Sequence, residues 1–175
     1  MLKLFYPYEY VESVFALDYA KLREKGIKGI IFDIDNTLVH HGDDSTPEID
    51  ELFEKIHNIG IKTFLLTDNN KERTLRFLKN ITSPYICDAG KPSPTAYLRA
   101  LDILGLKKDE AVVIGDQIFK DILGANRSGI PSILVKFIRL ESETNFGKRR
   151  KAENIILKFY DRSRRYKGRL GNIIK

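Results

Sequence analysis

Acidic, hydroxyl and basic side chains follow apolar segments at several points of this 175-residue sequence. They are Asp33, Asp35, Thr67, Lys91 and Asp116. Carboxylates repel a phosphate group, so a divalent cation has to bridge the two, and Mg²⁺ prefers such hard oxygen ligands. Thr67 can donate a hydrogen bond to a phosphoryl oxygen, and the Lys91 ammonium can neutralise charge on the transferred group. These residue types therefore indicate magnesium-dependent phosphoryl transfer.

Each of these residues also has an ordinary structural interpretation. An acid at the end of a strand is often a turn residue, Thr67 is typical of a helix cap, and Asp116 is typical of a turn into a helix. Asp33 and Asp35 are harder to explain in this way, because they follow an unbroken apolar run and point to the same side of an extended chain. Since the carboxyl ends of parallel strands share one edge of a sheet, the joint order of these residues favours a common site.

Strands and helices alternate along the chain before residue 136. Short apolar runs predict strands at 29–32, 63–66, 85–87, 111–114 and 132–135. Helical patterns between them are predicted to begin at Pro47, near Lys71, at Pro94 and near Ile118. This alternation predicts an α/β fold with a doubly wound parallel sheet of about five strands. We expect residues 1–135 to form one domain, with 1–27 as its N-terminal arm.

Charge is distributed unevenly along the sequence. Residues 1–135 carry 17 basic and 20 acidic side chains, a net charge of −3, whereas residues 136–175 carry 13 basic and 4 acidic side chains, a net charge of +9. We expect residues 136–175 to form a basic, partly helical extension. Such an extension attracts an anionic membrane surface or, as the less favoured alternative, nucleic acid. A solvated surface helix explains the same charge run equally well.

The composition excludes several classes of protein. The single cysteine permits neither an internal disulfide nor a cysteine-based zinc site. No uncharged apolar run approaches the roughly 20 residues that cross a bilayer, and Glu9 and Glu12 interrupt the apolar stretch that a signal peptide needs. We therefore expect a cytoplasmic protein that can lie peripherally at a membrane surface.

Four motifs in order resemble the haloacid dehalogenase (HAD) superfamily of aspartate-nucleophile phosphatases. The sequence has the pattern DxDxT at 33–37, a threonine at a strand end, a lysine in GKPSP, and a second acidic pair in GDQIFKD, which comprises Asp116 and Asp121. The segments EYVESVF, KGIKGIIFDIDNTLV and GANRSGI are similar to the YqeG branch of subfamily IIIA. That branch is itself similar to mitochondrial phosphatidylglycerophosphate phosphatases. The chain departs from its relatives at Lys120, where they carry a small hydroxyl residue.

The resemblance implies a role for each matching residue. Asp33 would be the nucleophile that forms an aspartyl-phosphate, and Asp35 would be the general acid and base, with a pKa above that of Asp33. Thr67 and Lys91 would hold the phosphoryl group. Mg²⁺ would be held by Asp33, Asp35 (through its main-chain carbonyl), Asp116 and Asp121. Substrate contacts would come from Asn36, Asp68 and Asn69.

The spacing of the motifs implies a HAD fold without a large cap domain. Eleven steps separate Asp35 from Thr46, and the 24 steps from Thr67 to Lys91 are mostly consumed by a helix and a strand. An open site admits a phosphorylated small molecule or a lipid headgroup such as phosphatidylglycerophosphate. The alternatives are a nucleotide or sugar phosphatase, or a nucleic-acid-binding protein with a HAD-like body. A homodimer is a further expectation, and the histidines at 40 and 41 fit either a site flap or the surface.

Overall fold

The computed structural model describes residues 2–139 and 147–175. Its centre is a parallel sheet of six strands, in the order β1–β6–β5–β2–β3–β4. The strands are β1 (Glu9–Val11), β2 (Gly29–Phe32), β3 (Lys62–Leu66), β4 (Tyr85–Ile86), β5 (Ala111–Gly115) and β6 (Ser132–Val135). Every residue of β2, β5 and β6 is buried, which explains why their sequences are almost entirely apolar. The predicted doubly wound α/β fold is therefore confirmed, with one strand more than expected.

Helices cover both faces of this sheet. They are α1 (Tyr19–Glu24), α2 (Pro47–Asn58), α3 (Lys71–Phe77), α4 (Pro94–Leu104), α5 (Leu123–Ser128) and α6 (Lys148–Arg162). The Thr46 hydroxyl accepts a hydrogen bond from the Ile49 amide, which caps α2 at the predicted residue. On one face Phe32 packs against Phe53 of α2, at 5.4 Å between ring centroids, and on the other Tyr97 of α4 is fully buried.

The central position of β2 determines where the polar residues meet. Phe32, its last residue, is in register with Leu65 of β3 and Ile114 of β5. The loops that follow these three strands therefore leave the sheet side by side. Since β2 and α2 are joined only by residues 33–46, no large cap covers this edge within the described residues. Among residues 2–139 and 147–175, no helix is long and apolar enough to cross a bilayer.

The described part of the C-terminal segment packs against the rest of the chain. Ile173 is fully buried, and its carbonyl accepts a hydrogen bond of 2.8 Å from the Asp18 amide. Tyr160 of α6 is also buried, with its ring centroid 5.8 Å from that of Tyr6. The division into 1–135 and 136–175 stays a prediction, and residues 140–146 of the second segment lie outside the described ranges.

Candidate active site

Three carboxylates and one ammonium group meet at the carboxyl edge of the sheet. Asp33 follows β2, Asp116 follows β5, and Asp121 lies on the helical turn Ile118–Ile122. One carboxylate oxygen from each lies within 4.8 Å of the other two, and all three residues are buried. The Nζ atom of Lys91 lies 2.8 Å from Asp33 Oδ1 and 2.7 Å from Asp121 Oδ1. We call Asp33, Asp116 and Asp121 the carboxylate cluster.

The carboxylate cluster fits a divalent cation such as Mg²⁺. Its donors are hard oxygens, and its three formal negative charges exceed the two positive charges of Lys91 and Arg150 that contact it. The Asp35 side chain does not join the cluster. Its Oδ1 accepts a hydrogen bond of 3.0 Å from Arg73 and its Oδ2 lies 3.0 Å from His41 Nδ1. Asp35 could therefore hold a metal only through its main chain, and that contribution stays a prediction.

Burial shapes the electrostatics of the cluster. It raises the pKa of Asp33 to about 8, because Asp121 and Asp116 add to the cost of ionisation and Lys91 only partly offsets it. Burial and Asp121 also raise the pKa of Asp116 to about 6, against the opposing effect of Arg150. Without a cation, the fold therefore resists full ionisation of these carboxyls, and a bound divalent ion would relieve that cost.

The pKa of Asp35 is shifted in the opposite direction. Burial alone would raise its pKa, but it is lowered by the nearby Asn69 amide, the Gly42 N–H group and the Arg73 guanidinium. The Asn69 amide approaches Asp35 without the geometry of a full hydrogen bond, and its Nδ2 atom has no partner among the described residues. The expectation that the pKa of Asp35 exceeds that of Asp33 is therefore wrong for the site as it stands, because Asp33 is deeply buried beside other acids, whereas hydrogen-bond donors and the Arg73 guanidinium surround Asp35.

A cavity of about 130 Å³ opens above the carboxylate cluster. Its lining contains the predicted catalytic residues Asp33, Asp35, Thr67 and Lys91 and the predicted substrate contacts Asn36, Asp68 and Asn69, together with His41, Gln117 and Lys120. The predicted catalytic and substrate-contact residues therefore meet in one place. Asp116 and Asp121 are buried beside this cavity, and Asp116 lines a second cavity together with Arg150 and Glu153. Their individual roles stay predictions.

Hydrogen bonds fix the loops around this cavity. The Thr67 hydroxyl accepts a hydrogen bond of 3.1 Å from the main-chain N–H group of Asn69, which turns the chain directly after β3. Asp68 accepts from the Lys91 amide at 3.0 Å and from Lys120 Nζ at 2.7 Å. Lys120 thus carries an ammonium group to the rim of the cavity. Asn36 has a φ of +60°, a left-handed conformation that asparagine tolerates.

Comparison with known proteins agrees with this geometry. Residues 41–129 match the family described as haloacid dehalogenase-like hydrolase. The chain is 42% identical over 134 residues to the probable phosphatase YqeG of Bacillus subtilis, which covers 76% of this chain and 78% of that protein. The chain belongs to the haloacid dehalogenase-like hydrolases.

Solved structures show the same fold at low sequence identity. NagD from E. coli K-12 superposes with a TM-score of 0.54 at 16% identity, over 69% of this chain and 94% of that one. The cobalt-bound deoxy-D-mannose-octulosonate 8-phosphate phosphatase YrbI from Haemophilus influenzae has a TM-score of 0.50 at 15% identity, over 81% of this chain and 92% of that one. These structures show the fold alone. The family match and the identity to YqeG confirm the sequence-based expectation of a HAD-type phosphatase, whereas the substrate is not established.

Sequence reasoning missed two arginines that contact the predicted HAD residues. Arg73 of α3 holds Asp35 and also donates to the main-chain oxygen of Asp43, which ties the loop after β2 to α3. Arg150 of α6 donates to the Asp116 carboxylate. Arg150 stands in a run of four basic residues that reads as surface charge. The available signal was Glu153, an isolated acid three positions after Arg150 that becomes buried on the same helix face.

Gly115 leaves the space that the Asp121 side chain of the HAD site occupies. A Cβ atom at Gly115 would lie 2.3 Å from Asp121 Cγ, so any other residue there would displace that carboxylate. The Asp121 side chain is further held by the Gln117 amide, which donates to Oδ2 at 3.0 Å. The motif glycine before Asp116 is therefore required by packing at the carboxylate cluster, because Asp121 folds back over the end of β5.

Proposed function

We propose that this HAD-type phosphatase hydrolyses a phosphate monoester with Mg²⁺, through an aspartyl-phosphate on Asp33. The observation that carries the proposal is the buried Asp33 carboxylate, which lies 2.8 Å from the Lys91 ammonium beside Asp116 and Asp121 and opens into the cavity. In such a dry, preorganised setting, fixed charges act on a phosphoryl group more strongly than they would in water.

The residues of the site support a two-step reaction. An oxygen of Asp33 forms a bond to phosphorus while the bond from phosphorus to the leaving oxygen breaks, and Asp35 donates a proton to that oxygen. Asp35 then accepts a proton from a water molecule that attacks phosphorus, which releases inorganic phosphate and regenerates Asp33. The approach of an anionic substrate raises the pKa of Asp35 from its lowered value and so favours the acid form needed first.

The side chains around the cavity position the phosphoryl group. Lys91 and the Thr67 hydroxyl donate to its oxygens, and main-chain N–H groups near Asn36 and Asp68 add further donors. A bound Mg²⁺, held by Asp33, Asp116 and the main-chain carbonyl of Asp35 with Asp121 in support, would neutralise charge on the transferred group. The cobalt-bound state of YrbI supports a divalent metal in this fold.

The surface of α6 favours a lipid headgroup as the substrate class. Ile155 and Phe159 lie one turn apart on this helix with 56% and 51% of their surfaces exposed. The basic residues of the same helix are Lys148, Arg149, Arg150, Lys151, Lys158 and Arg162. An apolar pair among basic side chains suits the surface of an anionic membrane. Arg150 contacts Asp116 from the opposite side of α6, so this helix lies next to the carboxylate cluster. A membrane-bound α6 would therefore bring the site near a phosphatidylglycerophosphate-like headgroup.

Turnover on two substrates tests the proposal. With Mg²⁺, the protein is expected to hydrolyse p-nitrophenyl phosphate and phosphatidylglycerophosphate in anionic vesicles, and excess EDTA is expected to stop both reactions. The double variant Ile155→Ser/Phe159→Ser is expected to lose about fivefold or more on vesicles, because two membrane contacts are lost, with p-nitrophenyl phosphate turnover unchanged.

The matched control is Ile103→Ser, since Ile103 is a similarly exposed apolar residue on α4. Unchanged vesicle turnover in the double variant would reject the lipid surface and favour nucleotide or sugar phosphates. Activity that survives EDTA would reject the metal.

A further inference from the structure

Helix α6 places one arginine directly against the carboxylate cluster. Arg150 Nη2 donates to Asp116 Oδ2, and Nη1 donates to the main-chain oxygen of Asp116 at 2.6 Å. One guanidinium thus holds both the side chain and the main chain of the same residue, which restricts the side-chain torsions of Asp116. The Thr37 hydroxyl donates to the other carboxylate oxygen, Oδ1, at 3.2 Å. Both carboxylate oxygens of Asp116 therefore accept a hydrogen bond, which fixes the orientation of the carboxylate.

Arg150 is itself fixed in place. Its Nη1 atom lies 2.9 Å from Glu153 Oε2, and its guanidinium carbon lies 4.7 Å from the centre of the Phe137 ring. The Glu153 side chain is only 4% exposed, and its Oε1 accepts a bond of 3.2 Å from the Phe119 amide. Phe119 lies between Asp116 and Asp121, so Glu153 and Arg150 connect α6 to the segment that carries two members of the carboxylate cluster.

Surface charge explains the neighbours of Arg150 but not Arg150 itself. Lys148, Arg149 and Lys151 are exposed, whereas the Arg150 side chain retains 20% of its exposure and is partly desolvated. A planar guanidinium holds a carboxylate and a carbonyl in one fixed geometry, whereas the three rotatable donors of an ammonium group fix them less rigidly. Partners of this kind orient metal ligands, and their removal typically costs 10–100-fold in metal affinity.

We propose that Arg150 is a positioning residue that orients Asp116 for the divalent cation, so that α6 completes the metal site. The proposal rests on the metal site of the proposed function. It has a clear rival: Arg150 could instead compete with the cation for Asp116. The two roles predict opposite changes in metal affinity, because loss of a positioning residue weakens metal binding and loss of a competitor strengthens it.

Mn²⁺ titration, followed by electron paramagnetic resonance of the free ion, separates these alternatives without any substrate. The double variant Arg150→Met/Glu153→Gln removes the arginine without leaving a buried glutamate unpaired, and its Mn²⁺ affinity is expected to fall about 10–100-fold. The Mn²⁺ affinity of Arg150→Lys should lie between those of the double variant and the wild type, because an ammonium group restores the charge with fewer fixed donors. This partial rescue would not result from a loss of packing alone.

Two variants serve as controls. Arg149→Met removes the same charge at an exposed neighbouring position, and Glu153→Gln alone accounts for the second substitution; Arg149→Met should bind Mn²⁺ like the wild type. Circular dichroism in EDTA checks that each protein is folded, and if the double variant unfolds, Arg150→Lys decides the question.

Unchanged or tighter Mn²⁺ binding in the arginine variants would overturn the positioning role while leaving the metal site intact. If the wild type binds no Mn²⁺, or if Asp116→Asn binds it equally well, the metal site of the proposed function fails and the role of Arg150 fails with it.

Discussion

Asp33→Asn is expected to lower turnover of p-nitrophenyl phosphate by about 10⁴-fold or more, because an amide cannot accept the phosphoryl group. The same variant is expected to be more stable than the wild type in EDTA at pH 8. The pKa of Asp33 is raised from its ordinary 3.8 to about 8 in the fold, so the unfolded state gives up this proton more readily. The wild type therefore loses stability as pH rises from about 4 to 8, and the asparagine variant does not lose this contribution.

Chemical denaturation at pH 4 and pH 8 measures this difference. The stability advantage of Asp33→Asn should be absent near pH 4 and reach at least about 1 kcal/mol near pH 8, once discounted for the coupling of Asp33 to its neighbours. Glu51→Gln is a matched control, because Glu51 lies on the exposed surface of α2. Wild-type turnover in Asp33→Asn would end its assignment as the nucleophile, and an advantage that does not grow with pH would contradict the electrostatic description of the cluster.

Lys91→Met is expected to abolish turnover and to destabilise the metal-free protein by about 3–5 kcal/mol at pH 7. The Lys91 side chain is 2% exposed, and its ammonium group contacts both Asp33 and Asp121. Because Asp33 is mostly protonated at pH 7, methionine would chiefly leave the buried Asp121 carboxyl without its counter-ion. For a domain of this size, such a change corresponds to a fall of roughly 10 °C in the thermal midpoint. Mg²⁺ should restore part of the lost stability, because a ligand that binds only the folded state stabilises it.

Lys120→Met gives the comparison for Lys91. The ion pair between Lys120 and Asp68 is about 30% exposed on both sides, at 28% and 31%, so its loss should cost less than about 1 kcal/mol. Differential scanning calorimetry with EDTA and with Mg²⁺ measures both variants. Equal thermal midpoints for the two lysine variants would show that Lys91 does not serve as the buried counter-ion.

Strand positions could be predicted from the sequence because β2, β5 and β6 are buried on both faces and are almost entirely apolar. The edge strand β1 could not, since it is only three residues long and its middle residue, Tyr10, is exposed. Glu9 in the same strand is buried and accepts a hydrogen bond from the Leu170 amide, a contact made across almost the whole chain. No local pattern around residue 9 reveals such a partner.

The carboxylate cluster could be predicted for a related reason. Asp33 and Asp116 directly follow strands, so the topology of a parallel sheet brings them to one edge. The pKa order of Asp33 and Asp35 could not be predicted, because it depends on the depth of burial of each carboxyl and on the contacts of Asp35 with Asn69, Gly42 and Arg73. Arg150 was missed because the orientation of α6 decides which residue of a basic run faces Asp116, and Glu153 was the one local signal of that orientation.

Detection of a phosphorylated Asp33 tests the central claim most directly. The protein would be mixed with Mg²⁺ and a phosphate monoester, quenched in acid within milliseconds, digested at low pH and analysed by mass spectrometry. We expect one acid-stable, hydroxylamine-sensitive phosphoryl group on the peptide that contains Asp33, and none in Asp33→Asn or in EDTA. A phosphoryl group on another residue, or rapid turnover with an unmodified Asp33 at every quench time, would contradict the account.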